Sequence, residues 1–491
     1  MPPLPGPRWA LRTSLDAFHS QWLLNSSLAV PAAQKSAFST TSLLSARAAA
    51  TAPPPKPRRQ ENTPVKGVRK TYSVKKARKV STAKPPGPGE RKAMRKRIIL
   101  SNTNALEVQG LKKLEKEMFA GGKELKELSG KMMGLEDNTI DQLKAVQAFQ
   151  PRQGWKMFRW PSVLMRKEAV DVGHALQNAE NNKTSFRRVL VGDKHSGKSV
   201  LMLQAQAMAF LKGWVVIPIP DAQELTVAHT AYAPLPESDP PIYVQKNYTA
   251  ELLTKISNAN QAILSTMVLS QQHKLPIPVQ NNISLDRFAS LGARDPELAY
   301  PFFIALWKEL TMPSQEGDGM QRRPVMLALD NLQHVMRPSE YLDPDLNKIH
   351  AHDLALVKHF MDHLCGSKPL PNGGAVLAAL SESNRLKTKE LDYLIKRNEA
   401  LAAGPLMPEQ TMPLWSPFAK MDEKIEASMA DVEILRLKGL SREEARSIME
   451  YWALSGLLRQ KVTEAFVGEK WTLAGGGNLG EMEKAAVGMR V

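Results

Sequence analysis

The chain has 491 residues, 43% of them hydrophobic, enough for a substantial core and for two to four domains at roughly 150 residues each. Its net charge of +17 sits at one end: residues 1–100 hold 20 Lys and Arg against 3 Asp and Glu, and the remainder holds 46 of each. No stretch approaches the roughly 20 apolar residues that a membrane helix needs, and a single cysteine, Cys365, excludes an internal disulfide framework and fits a reducing compartment.

In chain order, residues 1–45 come first. They contain Arg8, Arg12 and Lys35 with one acid, Asp16, and are rich in Ser and Ala. Leu11, Leu15, Phe18 and Trp22 recur at helical spacing. An amphipathic, acid-poor, Arg-containing leader has the composition of a mitochondrial transit peptide. Residues 46–100 differ. Pro53, Pro54, Pro55, Pro85, Pro86 and Pro88 break helices, and clusters such as Lys75-Lys76-Ala77-Arg78-Lys79 dominate. Too little apolar surface is present to offset the entropy of ordering. The segment is expected to be a disordered basic extension suited to a polyanion, RNA above all, because Lys and Arg displace the counterions condensed on nucleic-acid phosphates.

Helical patterning is expected to resume near Ala105, through Leu111, Leu114 and Met118 and again at Leu125 and Leu128. The aromatic and basic run Trp155 to Pro161 either packs as a clasp, covers a nucleotide base or touches RNA. The most informative stretch follows. Phe186–Val191 reads as a strand, Val200–Leu211 as a helix and Trp214–Ile219 as a second strand, with Pro218 pointing to an edge position or a strand end. Between the first strand and the helix lies Gly192-Asp193-Lys194-His195-Ser196-Gly197-Lys198-Ser199, a phosphate-binding P-loop in the context that motif requires. Gly192 and Gly197 permit backbone closed to other residues, and the helix that opens at Lys198 adds its N–H groups and dipole. The nucleotide-binding candidates are Gly192, Asp193, Lys194, His195, Ser196, Gly197, Lys198, Ser199 and Val200. Lys198 is expected to reach the β and γ phosphates, and Ser199 to ligate Mg²⁺.

Val325–Asp330 is an apolar strand ending in an acid, the way this class sets a carboxylate near Mg²⁺. Asp330 is therefore the second metal candidate, acting through water, and the candidate catalytic acid. Asn331 stands where many P-loop ATPases keep a second acid, which predicts slow or absent hydrolysis. A third strand, Ala375–Leu380, leads into Ser381 and Ser383, candidate γ-phosphate sensors, and Arg385. His350, His352, His359, His363 and Cys365 fall within sixteen residues but match no familiar zinc spacing. Gly475-Gly476-Gly477-Asn478 reads as a turn with Asn478 capping the helix that follows. Ser441 and Glu444 form a capping-box pair. No Asn-Lys-x-Asp motif for reading a guanine base is present.

Taken in order, the P-loop, Ile219-Pro220-Asp221-Ala222, a long insertion with Tyr248-Thr249-Ala250, Ala328-Leu329-Asp330-Asn331, the run from Gly373 to Ser381 and residues 440–457 resemble the death-associated protein three family of mitochondrial small-subunit ribosomal proteins. The resemblance runs from about Phe149 to the end of the chain. It implies a fold like AAA+ or related signalling ATPases, a place in the head of the small subunit of the mitochondrial ribosome in the matrix, and bound GTP or GDP with Mg²⁺, ATP being the alternative. Mitochondrial small-subunit rRNA and other mitochondrial ribosomal proteins are the implied partners. The expected architecture is α/β: a P-loop NTPase domain over 101–405, a three-layer parallel sheet, and a mostly helical domain over 406–491. The rival reading is a mitochondrial P-loop NTPase that turns over as an assembly factor or chaperone-like ATPase.

Overall fold

Four apolar runs form parallel strands in the computed structural model: Ser185–Gly192 (β1), Val215–Ile219 (β2), Val325–Asp330 (β3) and Gly374–Ala379 (β4). Glu433–Leu437 (β5) joins them, giving a five-stranded sheet of order β5-β1-β4-β3-β2 in which every neighbouring pair is parallel. The structure describes residues 98–488 apart from 120–121, 152, 237, 315–319, 384–385, 387 and 405–411. The leader, the basic extension up to residue 97, Arg385 and the boundary expected near 405 therefore lie outside the described residues.

Alternation along the strands sorts their side chains into two cores. Val189, Val191, Val215, Ile217, Leu327, Leu329, Val376 and Ala378 face one way, and Leu190, Val216, Met326, Ala328, Leu377 and Ala379 face the other. Both sets are buried, as parallel sheets require, since their crossover connections lay helices on each face. Lys167–Asn182 (α1) and Lys198–Leu211 (α2) cover the second face through Val172, Leu176, Leu203 and Met208. Lys246–Leu264 (α3), Leu285–Arg294 (α4), Pro296–Thr311 (α5), Ala355–Leu364 (α6) and Lys389–Ala402 (α7) cover the first, through Leu253, Phe288, Phe302, Phe360 and Leu394 among others. Each such apolar side chain removed from water contributes about 1.5–3 kcal/mol. The result is the three-layer arrangement expected from strands alternating with helices.

Pro218 does sit in an edge strand, since among the described residues β2 pairs with β3 alone. The other side of β2 is closed by a side chain. The Asn260 amide lies fully buried in α3, accepts from the Val216 N–H at 2.8 Å and donates to the Val216 carbonyl at 2.9 Å. One asparagine thus completes the ladder that a missing neighbour strand would have supplied. Asn260 is also where α3 departs from helical backbone.

One reading of the flanks is corrected. Residues 98–114 are not helical; the Asn102 N–H bonds the Phe158 carbonyl, Leu114 pairs with Gly134, and only short helices at Lys116–Phe119 and Gly122–Glu127 follow. Leu111 and Leu114 pack against different cores, so their spacing reflects two partners and not one helix face. The C-terminal segment supplies β5 as well as helices Arg442–Leu454 (α8), Glu464–Leu473 (α9) and Leu479–Val487 (α10). Its local signals hold: Ser441 and Glu444 form the reciprocal capping box, and Asn478 caps α10 by accepting from the Glu481 N–H.

Candidate functional site

The C-terminal ends of β1, β3 and β4 face a common cavity of about 1700 Å³, the position at which open parallel sheets hold ligands. Residues 194–199 of the Gly192–Ser199 loop line it. At Gly192, φ is +153°, and a Cβ would stand 2.7 Å from the Leu437 carbonyl oxygen of β5, so no larger residue fits. Gly197, at φ +97°, turns the chain into α2, whose first residue is Lys198. The buried Lys198 ammonium donates to the Gly192 and Asp193 carbonyls, both at 2.7 Å. It is thereby curled over the loop, with its charge at the mouth of the helix N-terminus.

At the other end of the loop, Ser199 Oγ donates to Asp330 Oδ2 at 2.8 Å. The structure thus joins residues 131 positions apart in sequence. Asp330 is 7% exposed and also accepts from Gln150 Nε2 at 2.7 Å and from the Asn331 N–H at 2.8 Å. Burial pushes its carboxyl above the usual carboxylate range, against the pull of the Ser199, Asn331 and Gln150 donors. A cation beside it would reverse that balance. Asn331 takes left-handed backbone at φ +66° and donates its amide to Asp221 Oδ1 at 2.7 Å.

Ser381 and Ser383 both line the cavity with the loop and Val200. The backbone of Ser381 is held by Gln333, whose amide donates to its carbonyl at 3.2 Å and accepts from its N–H at 3.1 Å. That grip comes from the residues just after β3, which sequence reading did not single out. Sequence reading also passed over Arg166, which precedes α1. Its guanidinium donates to the Ser196 carbonyl at 2.8 Å and to the Lys438 carbonyl at 2.6 Å, tying the loop to the chain beyond β5. Neither contact leaves a local pattern. Asn478 was read as a helix cap alone, yet its Nδ2 also donates to the Lys194 carbonyl at 3.0 Å, while the Gly480 N–H bonds the His195 carbonyl at 3.2 Å. A Cβ on Gly480 would come 2.5 Å from that of His195, so the glycine permits α10 to lie on the loop. His195 is held below its usual pKa by burial first, then by Lys484 and Lys194.

Several polar atoms in this region are buried without a partner, among them Ser196 Oγ and Arg166 Nε. A buried group with no hydrogen bond is costly. From the Trp155–Pro161 run, Trp155, Met157 and Phe158 wall the cavity: Trp155 meets Phe149 edge-on at 5.3 Å and Phe158 meets Tyr451 at 5.1 Å. The histidines lie elsewhere. His359 and His363 share one face of α6 against Trp307, with centroids 4.4 and 4.6 Å from its ring. Among the described residues no three His, Cys, Asp or Glu side chains are gathered as a metal site.

The family model described as mitochondrial ribosomal death-associated protein 3 matches residues 163–485, from the strand before Arg166 through α10. The small ribosomal subunit protein mS29 of Neurospora crassa is 43% identical over 402 residues, which is 82% of this chain and 82% of that one. The protein of the same name from Schizosaccharomyces pombe is 23% identical over 340 residues, 68% of this chain and 66% of its own. With its loop, its acidic strand and its C-terminal helices all inside the matched span, this chain belongs to the mitochondrial ribosomal death-associated protein 3 family.

Proposed function

We propose that this chain is a structural protein of the small subunit that holds a purine nucleoside di- or triphosphate with Mg²⁺ on the Gly192–Ser199 P-loop, and contacts rRNA through its basic extension. Family membership makes it a protein of the mitochondrial ribosome. The observation that carries the nucleotide reading is the Ser199–Asp330 contact at 2.8 Å. A hydroxyl at the first turn of the helix and a buried carboxylate at the end of the acidic strand are the donor set for a hydrated Mg²⁺, Ser199 directly and Asp330 through water. Mg²⁺ supplies charge that neutralises and orients the phosphates. Lys198 is already poised over the loop, and an incoming phosphate replaces the two carbonyls as its partner. Among the described residues, nothing accepts from Ser196 Oγ or Arg166 Nε. On this reading the fold is of the P-loop NTPase class, with the strand order β5-β1-β4-β3-β2.

Slow or absent turnover follows from Asn331. Its amide is engaged with Asp221 and has no basic atom with which to activate water. Ser381 and Ser383 line the same cavity as the loop, which supports a role in sensing the terminal phosphate and would make the nucleotide a sensed ligand more than a substrate. A ligand held at a thousand times its dissociation constant stabilises the fold by about 4 kcal/mol, so occupancy alone has consequences for assembly.

The test is to fractionate tagged protein from mitochondria on a sucrose gradient and identify the nucleotide released on denaturation. Co-migration with the small subunit, with stoichiometric nucleotide that Lys198→Ala abolishes, is the expected result. Protein that stays at the top of the gradient and releases phosphate at a steady rate would instead favour a free NTPase acting in assembly.

A further inference from the structure

The connection from β3 to α6 holds a hairpin that the nucleotide reading does not use. Pro338–Leu342 and Lys348–His350 pair antiparallel, and the Asp343 N–H donates to the Asn347 carbonyl at 2.9 Å to close the turn between them. Inside the turn the Leu346 N–H donates to the Asp343 carbonyl at 3.0 Å, with Pro344 at the corner position that proline favours. Leu346 then takes left-handed backbone at φ +63°. Hairpin loops of this kind call for glycine there, and a bulky leucine is strained. The same side chain is 78% exposed. A lone exposed leucine is ordinary on a protein surface. Here strain and exposure fall on one residue, and neither helps the fold. Apolar surface continues beside it. Leu342 ends the outward row Pro338, Glu340, Leu342 and is 39% exposed. Tyr232, 38% exposed, donates its hydroxyl to the Leu342 carbonyl at 2.5 Å and packs edge-on against Tyr341 at 4.6 Å. The base beneath is fixed. Tyr341 is buried, its hydroxyl bonded to Gln245 Nε2 at 2.9 Å and Thr230 Oγ1 at 2.8 Å, and the Ser339 hydroxyl donates to the Ile349 carbonyl at 2.8 Å. A side chain held out on a rigid base loses little freedom on binding.

We propose that Leu346 anchors a protein-docking surface, with Leu342 and Tyr232 beside it, that seats in an apolar socket rimmed by Lys or Arg on a neighbouring protein of the ribosome. Charge at the tip selects that partner. The two cations of the hairpin, Arg337 and Lys348, both pair with Glu340, at 2.9 and 2.7 Å. Among the described residues no cation pairs with Asp343 or Asp345, so the turn presents two carboxylates around its apolar centre. Carboxylates repel nucleic-acid phosphates and attract Lys and Arg. An apolar anchor inside a charged rim is also the arrangement in which protein interfaces concentrate their binding energy. Leucine in place of glycine is then what the turn contributes to binding, kept although it strains the backbone. The inference rests on family membership and is independent of whether the Gly192–Ser199 loop holds a nucleotide.

The experiment expresses tagged wild type, Leu346→Gly and Asp345→Lys, each beside the untagged protein, and measures the share of tagged chain that enters ribosomes on a gradient. Hydroxyl-radical oxidation of Leu346 and Tyr232 is compared between the free chain and ribosomes. Both side chains are expected to react in the free chain and to be protected in ribosomes. Leu346→Gly should melt at or above the wild-type temperature, because the turn is relieved. Its share in ribosomes should nevertheless fall by about tenfold, the size of a lost apolar anchor. Asp345→Lys should also enter less, since it sets like charges against each other. Better entry of Asp345→Lys would mean that phosphates face the tip, and it overturns the protein partner. Leu346 oxidised as fast in ribosomes as in the free chain, or Leu346→Gly entering as well as the wild type, overturns the docking surface itself.

Discussion

Asp330 is the residue on which the proposed Mg²⁺ site turns. Its Oδ2 serves two side chains, Ser199 and Gln150, and its Oδ1 serves a backbone N–H. Asp330→Asn keeps the shape and two or more of these bonds but removes the charge that a cation requires. Nucleotide retention in the variant should therefore lose its dependence on Mg²⁺, with metal affinity falling about 10- to 100-fold, while EDTA-insensitive retention through Lys198 and the loop amides persists. Retention measured against a Mg²⁺ titration checks this, and an unchanged Mg²⁺ response would remove Asp330 from the site. The candidate residues Lys198, Ser199 and Asp330 were legible in sequence because their spacing and strand context carry the chemistry. Gln150, Arg166, Gln333 and Asn478 were not, because each acts through a contact made by a distant part of the chain.

At the scale of elements, the edge of the sheet is the informative place. Pro218 signals an edge strand because it lacks the N–H that a second neighbour would need. What closes that edge is the side chain of Asn260 on α3, and no sequence rule predicts an asparagine in mid-helix taking that part. Asn260→Leu keeps the volume and leaves Val216 N–H and C=O buried without partners, at about 1–3 kcal/mol each. The urea midpoint should drop sharply with the slope unchanged. A variant that unfolds with the wild type would show that the edge does not need the plug. β5 was missed for a related reason: Glu433-Ile434-Leu435-Arg436-Leu437 has two charged residues and only five positions, and it becomes a strand because β1 offers an open side. Its Arg436 finds Glu399 of α7 at 2.7 Å, and its Glu433 finds Arg188 of β1 at 2.7 Å, so the charges are paired at the sheet margin.

For the whole molecule, buried ionisable groups make stability depend on pH. Burial is the first cause that lowers His352 and His359 to about 3 and His363 to about 4. These rings are neutral in the fold, whereas in the unfolded chain they take up protons near pH 6.5. Their contribution is complete above pH 6.5 and is lost as pH falls from there towards 4, by about 2 kcal/mol for each histidine at pH 5. Glu309 adds to the same trend at lower pH. Although burial works to raise it, hydrogen bonds from Ser270, His273 and Arg322 hold it below the usual range, so its stabilisation is lost as pH falls below about 4.5. It is fully buried on α5, within the connection between β2 and β3, and it ties Ser270 and His273 of that connection to Arg322 just before β3. Melting temperatures are expected to fall steeply between pH 6.5 and 4, and His359→Leu should make that slope shallower by about one proton. A flat profile would mean that these rings do not stay neutral in the fold.

The sequence by itself determined the apolar runs, the loop and its helix, the acid at the end of β3, the helix caps and the asymmetry of charge, because each is written within a dozen residues and follows from local backbone and side-chain chemistry. Tertiary structure alone decided which runs become neighbours, and therefore that Ser199 meets Asp330 and that Arg166 and α10 hold the loop from two sides. Those contacts span tens to hundreds of residues. They depend on burying both faces of the sheet at once, a condition on the packing of the whole chain that no local pattern can express.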